Sequence, residues 1–224
     1  YETLNQALQR LKFEELFYIQ LRLLKLKLVR KEKYKGIVFN DASMVTEFYK
    51  EYLPFKLTGA QKKVIKEIYA DLRSGQQMNR LLQGDVGSGK TIVGFICMLL
   101  VVGSDAQCAL MAPTEILAQQ HYNSLRKYAD KMQLTTALLT GSTKKKARGE
   151  LHEELRSGSL KILIGTHALL EEEVQFKKLG LAIIDEQHRF GVSQRSKLWQ
   201  KNEDVFPHVL VMTATPIPRT LAMT

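Results

Sequence analysis

The residues with the clearest chemical potential form one glycine-rich run, Gly84-Asp85-Val86-Gly87-Ser88-Gly89-Lys90-Thr91. Its pattern, Gly-x-x-x-x-Gly-Lys-Thr, is that of a phosphate-binding loop, in which glycines let backbone N–H groups curl around phosphate oxygens. Lys90 would reach the β and γ phosphates, and the Thr91 hydroxyl would ligate Mg²⁺. A predicted strand precedes the run, and a predicted helix follows it with its positive dipole end. The spacing therefore predicts a nucleoside triphosphate site.

A pair of carboxylates follows a second apolar segment, Leu181–Ile184. A strand that ends in Asp185 places this carboxylate at the carboxyl edge of a sheet, where open α/β folds bind ligands. Asp185 would then be the Mg²⁺ partner, and Glu186 would orient or activate the attacking water. A lone Asp-Glu pair after a strand is otherwise typical of a solvated loop. The phosphate-binding loop is what favours the catalytic interpretation.

The motifs resemble, in order, those of superfamily 2 helicases. Asp185-Glu186-Gln187-His188 is similar to the DExH box, and Thr213-Ala214-Thr215 is similar to motif III. The resemblance implies that Gln61 reads the adenine edge and that Lys90, Asp185 and Glu186 are catalytic. It also implies that His188, Thr213 and Thr215 couple the ATP site to the nucleic acid. ATP and Mg²⁺ are the implied cofactors.

Four further positions follow predicted strands and resemble the nucleic-acid contacts of that family: Thr114, Gly141, Thr166 and His167. Hydroxyls and backbone N–H groups there can bind phosphate oxygens without reading bases. Thr114 could instead cap the following helix. Phe190, after the DExH box, could belong to a DNA-sensing loop or fill the core. Lys144-Lys145-Lys146 and Arg148 begin a predicted helix, where cations are unfavourable unless a phosphate is near, although a solvated loop also explains them.

Longer stretches resemble the RecG-type helicases that act on branched DNA. These are Leu11–Leu16, Pro54–Gln61, Asp185–Val192 and Met212–Thr224. The resemblance implies forks or Holliday junctions as DNA partners, with weak sequence selectivity. It also implies a wedge domain and a second RecA-like lobe that this chain lacks. The alternatives are a first motor lobe of the Mfd type, which shares the Thr213–Thr220 stretch, or a nucleotide-binding module without turnover.

The elements that must position these residues alternate between strands and helices. Apolar runs bounded by turn residues predict six strands, at 80–83, 108–112, 135–139, 161–164, 181–184 and 209–212. Helical segments between them favour a parallel sheet with helices on both faces, the RecA-like α/β fold. Leucines from Leu4 to Leu28 predict a long amphipathic helix, and a second helix is expected at 44–52. We therefore expect a helical lead-in at 1–53 and an ATPase lobe at 54–224.

The composition agrees with a DNA-directed protein. Among 224 residues, 33 Lys and Arg outnumber 23 Asp and Glu, which gives a formal charge of +10 and favours polyanions as partners. Part of that charge lies in the basic stretch Arg22–Lys35, which is either a solvated face or a phosphate contact. Cys97 and Cys108 sit in apolar surroundings and predict reduced, buried thiols. No apolar run reaches the roughly 18 residues of a membrane span, so we expect a soluble protein. The reduced thiols favour a reducing compartment, and the RecG resemblance implies the bacterial cytoplasm.

Overall fold

The computed structural model describes residues 2–186 and 205–214. Its contacts divide these residues into two units, one that contains the long first helix and one that contains residues 35–186 and 205–214. The first helix, α1, spans Glu2–Lys33, so the predicted long helix is confirmed. Its apolar residues lie on more than one side, which makes it less one-sided than the amphipathic helix that the leucine spacing predicts. Within α1, the rings of Phe13 and Phe17 stack at 5.9 Å.

The second unit alternates strands and helices. The strands are β1 (Asn79–Gln83), β2 (Gln107–Met111), β3 (Thr136–Leu139), β4 (Ile162–Gly165), β5 (Leu179–Asp185) and β6 (His208–Thr213). The helices are α2 (Ser43–Glu47), α3 (Gly59–Leu72), α4 (Lys90–Val102), α5 (Glu115–Lys131) and α6 (Lys145–Ser157), with a short 3₁₀-helix at His167–Leu170. All six predicted strands are confirmed, with ends that agree to within two residues.

The six strands form one parallel sheet in the order β1-β6-β5-β2-β4-β3. Because the strands are parallel, all of their carboxyl ends lie at the same edge. The three strands that carry the predicted nucleotide motifs, β1, β6 and β5, are neighbours. The three that precede the predicted nucleic-acid contacts, β2, β4 and β3, form the other half of the sheet.

Strand side chains alternate between two apolar cores, one on each face of the sheet. Cys108 and Leu110 of β2 join a core that is covered by α3, α4 and α5. Ala109 and Met111 of the same strand face the opposite core, which α6 and the 3₁₀-helix cover. Helix α4 is buried from Ile92 to Val102, as expected for a helix that is apolar on every side. The predicted parallel sheet with helices on both faces is confirmed.

Residues 35–53 belong to the compact unit that contains the sheet. The division therefore falls at Tyr34/Lys35, ahead of the Leu53–Pro54 boundary that the composition predicts. The reason is packing, because Phe39 and Phe48 are fully buried in the core on the α4 side. The helix predicted at 44–52 consists of α2 followed by a π-helical turn, Phe48–Tyr52.

Both cysteines are buried and free, as predicted. Burial raises the pKa of the Cys97 thiol to about 12, and it raises the pKa of Cys108 well above its ordinary value. Across residues 2–186 and 205–214, no helix is long and apolar enough to cross a membrane.

Candidate active site at the carboxyl edge of the sheet

The predicted phosphate-binding loop joins β1 to α4, as its mechanism requires. Gly87 and Gly89 have φ of +79° and +81°, which side chains other than glycine rarely adopt, and this conformation curls the loop. The Lys90 ammonium donates to the carbonyl oxygens of Gly84 and Asp85, at 2.7 and 2.8 Å. Along the loop, Asp85, Val86, Gly87 and Ser88 are exposed, whereas Gly84, Gly89, Lys90 and Thr91 are half-buried. The curled backbone and the lysine thus lie together at the sheet edge.

Gln61 ties the start of α3 to this loop. Its side-chain oxygen accepts from the Thr58 N–H at 2.9 Å, and the Thr58 hydroxyl accepts from the Gln61 N–H, which completes a capping box. The Gln61 amide nitrogen donates to the Ser88 carbonyl at 2.9 Å. The structure therefore brings Gln61 to the phosphate-binding loop, where the sequence predicts the nucleotide.

The last residues of β6 hold two predicted motifs together. The Gly84 N–H donates to the Thr213 carbonyl at 3.2 Å, and the Glu186 N–H donates to the Met212 carbonyl at 2.9 Å. The Ala214 N–H donates to the Glu186 side-chain oxygen Oε1 at 3.1 Å. Glu186 also has a positive φ of +51°, which turns the chain sharply after β5. The strand before motif III thus bridges the phosphate-binding loop and the carboxylate pair.

Asp185 ends β5 and is only 9% exposed. Its Oδ1 accepts from the Glu186 N–H at 3.1 Å. Its Oδ2 lies 2.7 Å from Nε2 of His121, on α5. The sequence reasoning missed His121, because no motif or ligand spacing singles it out. Helix α5 follows β2, and β2 pairs with β5 in the sheet. This pairing, which the sequence does not show, brings the imidazole to the carboxylate.

The donor set suits a hard divalent cation. Thr91 and Asp185 offer a hydroxyl and a carboxylate oxygen, the donor atoms that Mg²⁺ prefers. Among the described residues no group of three or more His, Cys, Asp or Glu could form a metal cage. A cage is not required, since Mg²⁺ is typically held by one or two carboxylates together with water and substrate phosphates.

The predicted nucleic-acid contacts all follow β2, β3 or β4, but they differ in accessibility. Gly141 and His167 are exposed. The Thr114 hydroxyl accepts from the Leu117 N–H at 3.3 Å, so it caps α5, the alternative role that the sequence leaves open. Thr166 is only 1% exposed, and its hydroxyl has no hydrogen-bond partner among the described residues. A contact between the Thr166 side chain and a phosphate would require this side chain to move.

Two side chains brace the loop after β3. Glu115 accepts from the N–H and the hydroxyl of Ser142, at 3.1 and 3.0 Å. Arg148 donates to the carbonyls of Thr140 and Thr143, and it also pairs with Glu171 at 2.6 Å. Arg148 is therefore an internal brace, whereas Lys144, Lys145 and Lys146 are exposed. The sequence reasoning noted Arg148 only as a cation near a helix start.

Four predicted residues lie outside the described part of the chain: Gln187, His188, Phe190 and Thr215. Their roles remain predictions from the motif resemblance.

The chain matches the DEAD/DEAH box helicase family over residues 58–224. It is 51% identical over 223 residues to the ATP-dependent DNA helicase RecG of Synechocystis sp., which covers 100% of this chain and 27% of that protein. It is 50% identical over 223 residues to the RecG of Bacillus subtilis, with 100% and 32% of the two chains covered. The chain thus spans less than a third of these relatives.

Solved structures agree with this relationship. RecG bound to a three-way DNA junction matches 96% of this chain with a TM-score of 0.81 and 44% sequence identity, over 28% of that chain. The DEAD-box helicase Mss116 bound to ssRNA and UDP-BeF matches 83% of this chain and 40% of its own, with a TM-score of 0.63. At 20% identity, the second likeness concerns the fold alone.

Proposed function

The chain belongs to the DEAD/DEAH box helicase family, and we propose that it is the ATP-binding motor lobe of a RecG-like DNA helicase. In the complete protein, ATP hydrolysis would drive translocation along DNA and the unwinding or branch migration of forks and Holliday junctions. Such an activity serves recombination and replication-fork repair in the bacterial cytoplasm. The observation that carries the proposal is the set of hydrogen bonds by which the end of β6 holds the phosphate-binding loop at Gly84 and the carboxylate of Glu186.

Each residue of the nucleotide site has a proposed role. Backbone N–H groups within residues 85–91 bind phosphate oxygens, Lys90 holds the β and γ phosphates, and Gln61 contacts the adenine edge. Thr91 and Asp185 would hold Mg²⁺, which when bound neutralises phosphate charge and orients the terminal phosphate. Glu186 orients the attacking water and takes its proton. The Ala214 N–H, 3.1 Å from the Glu186 carboxylate, keeps that base in place.

The other half of the sheet edge is the proposed DNA side. Gly141, His167 and the start of α5 at Thr114 lie beyond β3, β4 and β2, and we propose that they contact the phosphate backbone. Thr166 and Phe190 belong to the same proposed surface. Thr213, at the end of β6, is the proposed link between the halves, with His188 and Thr215. Contacts of this kind position DNA without reading its sequence, which suits a helicase of branched DNA.

The rest of the motor is proposed to come from a second RecA-like lobe and a wedge domain of the same protein. RecG relatives are more than three times as long as the matched region. An arginine finger from a second lobe is worth about 10³–10⁵ in rate. The 224-residue chain should therefore bind ATP far better than it hydrolyses it. The Mfd-type alternative is not favoured, because the relatives reported above are RecG helicases.

The test compares wild-type chain with Lys90→Ala. Equilibrium binding of a fluorescent ATP analogue and steady-state ATP turnover are measured with and without branched DNA. We expect the variant to lose binding by at least about tenfold, because charge-assisted hydrogen bonds to phosphate are the strong ones. We expect turnover by the wild-type chain to be near background. Lys62→Ala, on the exposed surface of α3, is the matched control and should bind as wild type does.

Three results would contradict the proposal. Equal binding by the wild type and Lys90→Ala would remove the assigned phosphate site. Fast turnover by the 224-residue chain alone would mean that it completes its own site, and the requirement for a second lobe would be wrong. Binding without turnover by the complete helicase would instead favour the nucleotide-binding module.

A further inference from the structure

One contact of the candidate site has no counterpart in the sequence motifs. His121 Nε2 lies 2.7 Å from Asp185 Oδ2. Only 12% of each side chain is exposed, so water competes little for this hydrogen bond. His121 is the seventh residue of α5, on the helix face that meets the end of β5. The imidazole thus reaches Asp185 from α5, whereas the phosphate-binding loop lies between β1 and α4.

With this contact, both oxygens of the Asp185 carboxylate are held by hydrogen bonds. Asp185 Oδ1 accepts from the Glu186 N–H, and Oδ2 meets His121, so each oxygen has one partner. The Asp185 backbone is held in register with Met212 of β6. A carboxylate has about four lone-pair sites. Two hydrogen bonds therefore fix its plane and leave lone pairs for a ligand.

We propose that His121 is a positioning residue for Asp185. Its imidazole holds the carboxylate in the orientation in which the remaining lone pairs meet the Mg²⁺ that accompanies the nucleotide. Carboxylates that ligate metals are commonly hydrogen-bonded in turn, and loss of such a partner typically costs about 10–100-fold in metal affinity or activity. The inference rests on the proposed function, because it takes Asp185 as a metal ligand.

A purely structural role makes a different prediction. A buried His-Asp contact that only stabilises the fold would lower the free energy of unfolding when removed, and it would weaken nucleotide binding equally with and without Mg²⁺. A positioning role changes the Mg²⁺ dependence and leaves metal-free binding in place. The two roles are therefore separated by comparing binding in EDTA with binding across a Mg²⁺ titration.

The experiment uses the 224-residue chain and a fluorescent ATP analogue. Equilibrium binding is measured in EDTA and at increasing MgCl₂ for wild type, His121→Leu and His121→Gln. For His121→Leu we expect the half-saturating Mg²⁺ concentration to rise at least about tenfold. Its affinity in EDTA should stay within about twofold of wild type, because the loop and Lys90 are untouched. His121→Gln keeps an amide near the position of Nε2 and should recover most of the Mg²⁺ response.

The matched control is Gln119→Ala, on the exposed side of α5, where the Gln119 amide contacts Asn123. It should follow the wild-type Mg²⁺ curve. If urea titration shows that His121→Leu is unfolded, His121→Asn replaces it, since its shorter amide falls short of the Nε2 position. The same rise in half-saturating Mg²⁺ is then expected.

The outcomes separate this inference from the proposed function. A folded His121→Leu or His121→Asn that follows the wild-type Mg²⁺ curve overturns the positioning role and leaves the proposed function standing. Equal weakening in EDTA and in Mg²⁺ also overturns it, in favour of a structural role. A wild-type chain that binds no ATP analogue overturns the proposed function, and this inference falls with it.

Discussion

At the scale of single residues, His208 shows how a buried polar group is kept neutral. Its Nδ1 accepts from the Met78 N–H at 2.9 Å, which requires a bare nitrogen, and its Nε2 donates to the Ile37 carbonyl at 2.7 Å. The ring is fully buried and meets Phe39 edge-on, with centroids 5.6 Å apart. Burial lowers the pKa of His208, although the bond to Ile37 and the charge of Asp71 oppose this. His208 thereby fastens the segment after α1 to β6.

We expect this histidine to make the fold less stable in mild acid. Because the folded-state pKa lies below the unfolded value of 6.5, its contribution is complete above pH 6.5 and is lost as the pH falls below it. The loss is at most about 1.4 kcal/mol per pH unit for one proton. The measurement is the free energy of unfolding in urea at pH 7.5 and pH 5.5.

The control is His208→Gln, which can keep one hydrogen bond and cannot titrate. It should be less stable than wild type at pH 7.5 and should lose less stability between the two pH values. Identical pH dependence in both proteins would assign the effect to other groups, such as His152, whose pKa burial also lowers.

At the scale of elements, the π-helical turn after α2 anchors residues 35–53 to the helices that pack on the sheet. Phe48 is fully buried, and its ring meets Phe95 of α4 at 5.2 Å and Tyr128 of α5 at 5.5 Å, both edge-on. Edge-to-face aromatic pairs add about 0.5–1.5 kcal/mol beyond the area that they bury. This turn therefore joins the two helices that reach the phosphate-binding loop and Asp185.

Phe48→Ala should destabilise the whole lobe by about 3–5 kcal/mol, since it leaves a cavity between α4 and α5. The measurement is urea unfolding of the 224-residue chain. The matched control is the neighbouring Tyr49→Ala, because Tyr49 is 39% exposed and its loss should cost much less. A loss for Phe48→Ala as small as that for Tyr49→Ala would mean that residues 35–53 are an appendage rather than part of the core.

The sequence predicted the individual strands and helices better than it predicted which of them lie side by side. Strand patterns and the phosphate-binding loop are local, so all six strands and the curled loop could be predicted. Strand order is not local: nothing in the apolar runs indicates that β6 lies between β1 and β5. The contacts of Glu186 with Ala214 and of Asp185 with His121 depend on that order, and they became visible only in the structure.

At the scale of the whole molecule, the sheet edge carries the proposed nucleotide site and the proposed DNA face, and one helix contacts both. Helix α5 carries His121 against Asp185 and carries Glu115 against the loop after β3. A movement of that loop would therefore act on the same rigid element that holds the carboxylate. The formal charge of +10 favours a polyanionic partner such as DNA.

DNA binding by the complete helicase should fall steeply with salt and depend little on sequence. Each phosphate contact contributes about −0.9 to the slope of log affinity against log salt. Two such contacts are therefore enough to weaken binding about tenfold between 50 and 200 mM salt. The measurement is fluorescence anisotropy with two junctions of unrelated sequence. A flat salt response, or a large difference between the two junctions, would contradict backbone-directed binding.

The strand order also determines when, during synthesis, the phosphate-binding loop can be completed. β1 lies at the edge of the sheet and pairs with β6, which comes last in chain order among the six described strands. Until residues 208–213 leave the ribosome, β1 has no strand partner, and the phosphate-binding loop lacks the Thr213 carbonyl that holds Gly84. Pairing over such a sequence distance closes slowly. The nascent chain therefore carries its phosphate-binding loop unfinished until β6 emerges, and β6 is the strand that supplies the missing contact.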